Sequence, residues 1–343
     1  MSFKVIIEPD GYSFIVEPGE SILEAAMHNG IHLAYGCRNA VCGSCKGTVI
    51  EGDIDYGDYE PLGLTGEEQE EGLALFCRAL PLSNLRIRAK VINSPENIPI
   101  KYIPVRVAGK EQLSDDVIRL LLKPPGATRL QFLAGQYIDI LLEDGERRSF
   151  SIANSPHDDE LIELHIRYVE DGEFSSYLFT RLKEKDILRI AGPFGQFYLH
   201  DPVTTPIIFM AGGTGFAPIK GIIEYARQEG VEQPMYLYWG ARTRRDLYMD
   251  ELAQQWSRHD NFHYIPVLSE PLAEDQWQGR TGMVHEAIMK DFPGLGDYAI
   301  YTAGPPQMVK AGWEVFSKRG LPEDRYYSDA FTFAHDKLKG PDS

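Results

Sequence analysis

At 343 residues the chain is longer than one ordinary domain, so two or three compact units are expected. Apolar residues at 43% and aromatics at 11% suffice for globular cores, but no apolar run approaches the ~18 residues of a membrane helix, and the opening MSFKVIIEPD does not read as a leader; no membrane insertion and a cytoplasmic location are expected. The formal net charge of −17 argues against a nucleic-acid partner, because phosphate contacts need clustered Lys and Arg.

Two alternating runs, Phe3–Glu8 and Tyr12–Glu17, flank Pro9-Asp10-Gly11 and predict a β-hairpin. Ser21 and Glu24 form a capping-box pattern ahead of Ile22, Leu23, Ala25, Ala26 and Met27, and Gly30 marks the end of that helix. A cysteine-rich loop follows: Cys37, Cys42, Cys45 and, far downstream, Cys77 give C-x4-C-x2-C…C, the spacing of a plant-type [2Fe–2S] site. Gly36, Ala40, Gly43 and Ser44 are small, so backbone N–H groups can approach the sulfurs. Zinc also takes four thiolates, although two C-x2–4-C pairs are its more usual pattern. Two disulfides would be unusual in a chain whose cysteines all lie within its first 77 residues. Between Glu51 and Glu71 stand nine carboxylates and no base. They read either as a solvated face or as a surface that steers a basic redox partner. Leu85–Val91 is expected to close this first unit, residues 1–95.

Ile92–Pro104 contains Pro95, Pro99 and Pro104 and reads as a linker. Residues 101–202 then show short strands at Val105–Val107, Val117–Leu122, Tyr137–Leu142, Ser149–Ala153, Leu161–Val169 and Ile187–Ala191, with one helix near Phe174–Leu182, the pattern of a barrel. Arg148-Ser149-Phe150-Ser151 offers a cation, an apolar ring and two hydroxyls on alternate faces, as the phosphates, ring and N5 of a flavin require. The strand carrying His165, Ile166 and Arg167 adds candidate cofactor contacts, although His165 taken singly reads as structural. It runs into Gly172-Glu173-Phe174-Ser175-Ser176. There a helix N-terminus offers N–H groups, and Ser175 or Ser176 a hydroxyl, to a diphosphate.

From residue 203 to 343 strands and helices alternate, which predicts a parallel sheet. Strands are expected at Ile207–Met210, Met235–Trp239, Phe262–Leu268 and Tyr298–Thr302. The first leads into Gly212-Gly213-Thr214-Gly215 and a helix with Ile219, Ile222, Ile223 and Ala226 on one face. Pro218 stands where G-x-G-x-x-G would place its last glycine, so a relative of the ordinary dinucleotide fold is expected. Gly304-Pro305 after the last of these strands offers a second loop for the same crevice.

RNAVCGSCKG, RSFSIAN, LHIRYV…GEFSS, AGGTGFAPIK and YWGARTRRDLY together resemble the ferredoxin–NADP reductase superfamily, in particular reductases with an N-terminal plant-type ferredoxin domain. YYSDAF, Tyr326–Phe331, is most similar to the CDP-6-deoxy-3,4-glucoseen reductase type. Reductase components of phenol and methane monooxygenases are also related. The resemblance implies a β-grasp [2Fe–2S] ferredoxin domain, an antiparallel β-barrel FAD domain and a parallel-sheet NAD-binding domain with a flavin-covering strand at its end. It implies that Arg148, Ser149 and the Gly172–Ser176 turn hold FAD, Phe150 stacks on its ring, Ser151 lies near N5 and Phe331 covers the other face. Gly212, Gly213, Thr214 and Gly215 would hold NADH, and the four cysteines the iron. Ala303 stands where the family often has Cys, and Asp329 where many relatives have Glu.

The implied activity is NADH oxidation, with electrons passing through FAD and then the cluster to an external enzyme, a deoxysugar dehydrase or an aromatic or alkane oxygenase. Glu270 opposes the 2′-phosphate of NADPH, whereas Arg242, Arg244 and Arg245 welcome it, so NADPH stays open. A redox sensor or electron store with little turnover, and a free flavin reductase with a vestigial cluster, are the competing functions.

Overall fold

The computed structural model describes residues 1–57, 59, 63–91, 98–126, 129–143, 145–200 and 202–331. Two compact units divide at residue 97: Met1–Asn97 and Ile98–Ser343.

The first unit contains β1 (Phe3–Ile7), β2 (Ser13–Val16), α1 (Ile22–His28), β3 (Lys46–Glu51), β4 (Ile54–Asp55), α2 (Gly66–Glu70), β5 (Leu73–Leu75), β6 (Leu80–Pro81) and β7 (Leu85–Arg88). The expected hairpin forms, with Phe3 opposite Val16 and Ile6 opposite Ser13. The main sheet has the order β2-β1-β7-β3-β5, and β7 runs parallel to β1. Both halves of the Ser21/Glu24 capping box are made, and Gly30 takes φ +71° just beyond the helix. Ile22, Leu23, Ala25 and Ala26 bury one face of α1 over a core that includes Val5, Ile7, Val16, Phe76 and Ile87. The closing strand stops at Arg88, and Val91 makes a separate bridge to Leu33.

The second unit opens with β8 (Lys101–Ser114), β9 (Val117–Lys123), β10 (Tyr137–Leu141), β11 (Arg147–Ser151), β12 (Ile162–Arg167), α3 (Glu173–Thr180) and β13 (Ile187–Phe194). They form one antiparallel six-stranded sheet in the order β11-β10-β13-β8-β9-β12. An isolated bridge, Ile152 with Leu164, joins the chain just past β11 to β12. The expected linker is shorter than its prolines suggested. Residues 92–97 lie outside the described residues, but β8 already begins at Lys101. Lys101–Val105 pair with β13 while β9 joins only from Arg106, so Pro104 sits where the strand has one neighbour, a place where a sheet accepts proline.

Next come β14 (Ile207–Gly212), α4 (Phe216–Gln228), β15 (Met235–Ala241), α5 (Asp250–Trp256), β16 (Phe262–Leu268), β17 (Arg280–Thr281), α6 (Val284–Asp291), β18 (Ala299–Gly304), α7 (Pro306–Phe316) and β19 (Tyr326–Ala330). Every strand pair in this sheet is parallel, in the order β17-β16-β15-β14-β18-β19. Side chains alternate across it. Phe209, Leu237 and Tyr301 pack with Ile219, Ile222 and Ile223 of α4, while Ile208, Met210 and Tyr238 pack with Ile288 of α6 and Phe316. The order reverses between β14 and β18, so a crevice opens at their carboxyl ends, where such sheets bind ligands.

Candidate functional site

Cys37, Cys42 and Cys45 lie on the loop between α1 and β3, and Cys77 follows β5. Arg38 and Ala40 adopt φ of 54° and 62°, a left-handed backbone that curls the loop around its own interior. Backbone N–H groups of Cys37, Asn39, Ala40, Val41, Ser44 and Cys77 donate to the four sulfurs. Two of these bonds are Cys37 N–H to Cys42 Sγ at 3.4 Å and Asn39 N–H to Cys37 Sγ at 3.3 Å. A Cβ at Gly36 would lie 3.1 Å from Cys42 Sγ, so glycine lets the backbone come this close.

The thiols are free and associate two by two. Cys37 donates to Cys42, which pulls Cys42 down to about 6 and pushes Cys37 well up. Cys45 donates to Cys77, raising Cys45 and lowering Cys77. Among the described residues no three His, Cys, Asp or Glu side chains surround a single ion position. Two sulfur pairs inside a cage of N–H donors fit a core with two irons, each taking one pair, and fit a single tetrahedral zinc poorly.

The residues proposed for flavin lie on β11 and α3. Arg148 Nη1 pairs with Glu146 at 2.6 Å and also donates to the Arg147 carbonyl. Ser149 Oγ donates to the buried Asp139 at 2.7 Å across the β10–β11 pair. The Phe150 ring meets Phe174 of α3 at 5.5 Å, half-buried over the sheet core. Ser151 Oγ donates to Oδ2 of Asp329 on β19, 3.3 Å away, which ties the last strand to the end of β11. Ser175 Oγ is committed to its own turn, through Val169 N–H and the carbonyls of Val169 and Gly172. Ser176, half-buried at the same helix start, has no hydroxyl hydrogen bond among the described residues.

Gly212, Gly213 and Thr214 line a cavity of about 550 Å³ together with Pro305, Met308 and Phe331. Gly215 has a packing reason beside any ligand: a Cβ there would lie 1.9 Å from the Ala303 carbonyl oxygen. Gly304, at φ +147°, approaches Gly212 in the same way, so the two loops interlock. Trp239 Nε1 donates to the Gly213 carbonyl at 3.0 Å, and its indole stacks on Phe216 at 3.9 Å. Nothing local in the sequence singles out Trp239, since a buried strand-end aromatic looks like core.

The alternation of β12 separates two jobs. Ile162, Leu164 and Ile166 point into the core of their own sheet, so Ile166 offers a ligand only backbone. Glu163, His165 and Arg167 face the other way, onto the parallel-sheet half. Arg167 pairs with Asp116 at 3.3 Å and lies over Gly213, where a glycine Cβ would come 3.2 Å from Nη2. Nη2 is buried without a hydrogen-bond partner among the described residues. A donor left open beside a glycine loop and a cavity fits the anionic diphosphate of a dinucleotide.

His165 is buried between Tyr248, whose O–H donates to Nδ1 at 3.1 Å, and Glu163, which accepts from Nε2 at 2.8 Å. Burial lowers His165 in spite of that carboxylate. Burial raises Glu163, but the His165 hydrogen bond and the Lys220 charge hold it down to about 2. Lys220 of α4, itself buried, completes the cluster. The alternation of Glu163, His165 and Arg167 against an apolar set was the signal for this second face.

Of the three arginines near β15, Arg242 lines the cavity. Arg244 is engaged with Asp275, and Arg245 is 3.5 Å from Asp115. Glu270 is exposed and donates its N–H to the Arg242 carbonyl.

Comparison with known proteins gives three matching families: a 2Fe-2S iron-sulfur cluster binding domain over residues 5–82, an oxidoreductase FAD-binding domain over 104–198 and an oxidoreductase NAD-binding domain over 209–312. The chain is 37% identical over 332 residues to the CDP-6-deoxy-L-threo-D-glycero-4-hexulose-3-dehydrase reductase of Yersinia pestis, covering 96% of this chain and 99% of that one. It is 35% identical to the reductase component DmpP of a Pseudomonas phenol 2-monooxygenase, over 98% of this chain and 96% of that one. Among solved structures, the Amycolatopsis cytochrome P450 reductase GcoB is similar at a TM-score of 0.81 and 32% identity, covering 97% of this chain and 99% of that one.

Proposed function

This chain belongs to the ferredoxin–NADP reductase superfamily, in the branch that carries its own 2Fe-2S domain, and on that premise we propose which residues do which work and what kind of enzyme receives the electrons. It is an electron-transfer reductase that oxidises NADH and uses FAD and a [2Fe–2S] cluster to supply an external acceptor. The bound flavin supplies the change from two-electron to one-electron chemistry.

Cys37, Cys42, Cys45 and Cys77 hold the irons in the pairs 37/42 and 45/77. The N-terminus of α3, Ser176 and Arg148 hold the FAD diphosphate, with Ser175 shaping the turn. Ser149 steadies β11 through Asp139, and Phe150 presents a ring to the isoalloxazine. Ser151 places its hydroxyl at N5 and is itself oriented by Asp329. Gly212–Gly215, Gly304, Pro305 and Arg167 take the nicotinamide dinucleotide, and Phe331 excludes water from the far side of the ring. His165 and Ile166 act through the scaffold: one ties β12 to Tyr248, the other fills the core.

We read the first unit as a β-grasp and the six-stranded sheet as a barrel; the parallel β1–β7 pair and the Ile152–Leu164 bridge support these readings. Functional divisions at residues 1–95, 101–202 and 203–343 follow, as does work in the cytoplasm. No helix among the described residues is long and apolar enough to cross a membrane.

One observation carries the reading. The same chain holds four sulfurs paired inside an N–H cage and a Ser151–Asp329 contact two residues from Phe331, which lines the glycine-loop cavity. The acceptor is a dehydrase acting on a nucleotide-linked deoxysugar, which the near full-length match to such a reductase supports. An oxygenase component is the second reading, favoured by the phenol monooxygenase relative and the P450 reductase structure. Anaerobic mixing of the NADH-reduced protein with a purified hexulose dehydrase, and separately with a phenol hydroxylase, tests the choice. Saturable reoxidation by the dehydrase is expected; reoxidation by the hydroxylase alone would reverse the assignment.

A further inference from the structure

Helix α4 starts at Phe216, directly after the glycine loop, and behaves as a rigid rod with about 1.5 Å of rise per residue. One turn along it stand Lys220 and Gly221. Lys220 is 4% exposed, and its ammonium has three partners: the Ala153 carbonyl at 3.1 Å, Glu224 Oε2 at 3.0 Å and Glu163 Oε1 at 3.3 Å. Gly221 brings the helix backbone onto the same segment. A Cβ built there would lie 3.0 Å from the Asn154 carbonyl oxygen and 3.2 Å from that of Ile152. Residues 152–154 are the direct continuation of β11, immediately after Ser151. Glu163 is bound in turn to His165, and His165 to Tyr248, so a second strand is fastened to the same half. A buried ammonium between two carboxylates is costly to desolvate, and an apolar residue of similar size could fill that space. What an apolar residue lacks is a bond to the Ala153 carbonyl and to β12 at once.

We propose that Lys220 and Gly221 are positioning residues that set the separation between the nucleotide loop and the flavin strand, and so between the nicotinamide and the flavin. The proposal rests on the assignments made above for the glycine loop and Ser151. The lysine holds α4 onto residue 153 and β12, and the glycine fixes how near it comes. Adding one methyl at 221 moves the helix by a few tenths of an ångström without touching any ligand. Hydride transfer responds to displacements of this kind, since misplacement by about 1 Å can lower a rate by roughly 100-fold.

The test uses the FAD- and iron-loaded full chain as wild type, Lys220→Met, Lys220→Arg and Gly221→Ala. Three readouts are taken: the limiting rate of anaerobic flavin reduction with its deuterium isotope effect across temperature, the Kd for NAD+, and amide hydrogen exchange at residues 150–156 and 216–222. In Gly221→Ala the limiting rate should fall by about tenfold, and the isotope effect should become more temperature-dependent, while the Kd stays within about twofold. Lys220→Met should slow the limiting rate and speed exchange at 150–156 while leaving the exchange of β16 as in wild type, and Lys220→Arg should recover part of both effects. If Lys220→Met does not fold, Gly221→Ala alone decides. A limiting rate within about twofold of wild type in Gly221→Ala, with an unaltered isotope effect, overturns the proposal even if Tm drops. If NAD+ fails to protect residues 212–216 in the wild-type protein, the nucleotide assignment is at fault, while exchange at 150–156 in Lys220→Met still reports on the clamp.

Discussion

Ser151 and Asp329 are 178 residues apart in sequence and share one hydrogen bond. The short Asp329 side chain reaches this serine from β19, at the sheet edge, where Asp329 is buried. Removing the hydroxyl in Ser151→Ala should slow NADH-dependent flavin reduction by roughly 100-fold at unchanged flavin content, and Asp329→Asn should slow it less, both read by stopped-flow absorbance. Cys42→Ser probes the other end of the route. It breaks one sulfur pair, so NADH-driven reduction of cytochrome c should be largely lost while ferricyanide reduction by the flavin persists; intact cytochrome c reduction would favour the free flavin reductase. The cysteines were legible because their spacing is itself the signal. The difference in bonding between Ser175 and Ser176 was not, because two adjacent hydroxyls look alike until one is seen bonded to Val169 and Gly172.

Among the elements, β12 does two things at once. Its apolar face closes the core of one sheet and its polar face carries Glu163, His165 and Arg167 to the other. The buried pair gives the second unit an acid-sensitive seam. In the unfolded chain His165 takes up a proton below about 6.5 and Glu163 below about 4.5, whereas the folded chain holds both lower. The unfolded state therefore binds more protons, and stability present above pH 6.5 declines as pH falls towards 2. In Glu163→Gln the part of the decline below pH 4.5 should flatten in a plot of Tm against pH. Gly215→Ala should destabilise the same unit by several kcal/mol, about 3 or more, since backbone rather than a movable side chain occupies the space. In the first unit, Ser21→Ala removes one half of the capping box and should cost about 1 kcal/mol in denaturant melts. Hairpin, capping box and the apolar stripe of α4 were all readable, because local periodicity and side-chain chemistry dictate them. The start of β8 was misjudged since proline argues locally for a break, and only the neighbouring strand makes it tolerable.

At the scale of the whole molecule, each compact unit has its own core, and the 2Fe-2S domain match, residues 5–82, falls within the first. Calorimetry of the loaded protein should resolve two transitions. Chelating the iron should lower the one belonging to residues 1–97 and leave the other in place; one joint shift would contradict independent cores. From the sequence alone came the three modules, and with them the candidate sulfur ligands, the glycine loop and the strand proposed for flavin. Each is a short stretch whose chemistry survives without its neighbours. Tertiary structure decided the 37/42 and 45/77 sulfur pairs, the meeting of Ser151 with Asp329, and the turning of Glu163, His165 and Arg167 onto the nucleotide half. It also decided the place of Lys220. These rest on contacts between segments far apart in the chain, and periodicity says which face of an element is polar without saying what that face will meet.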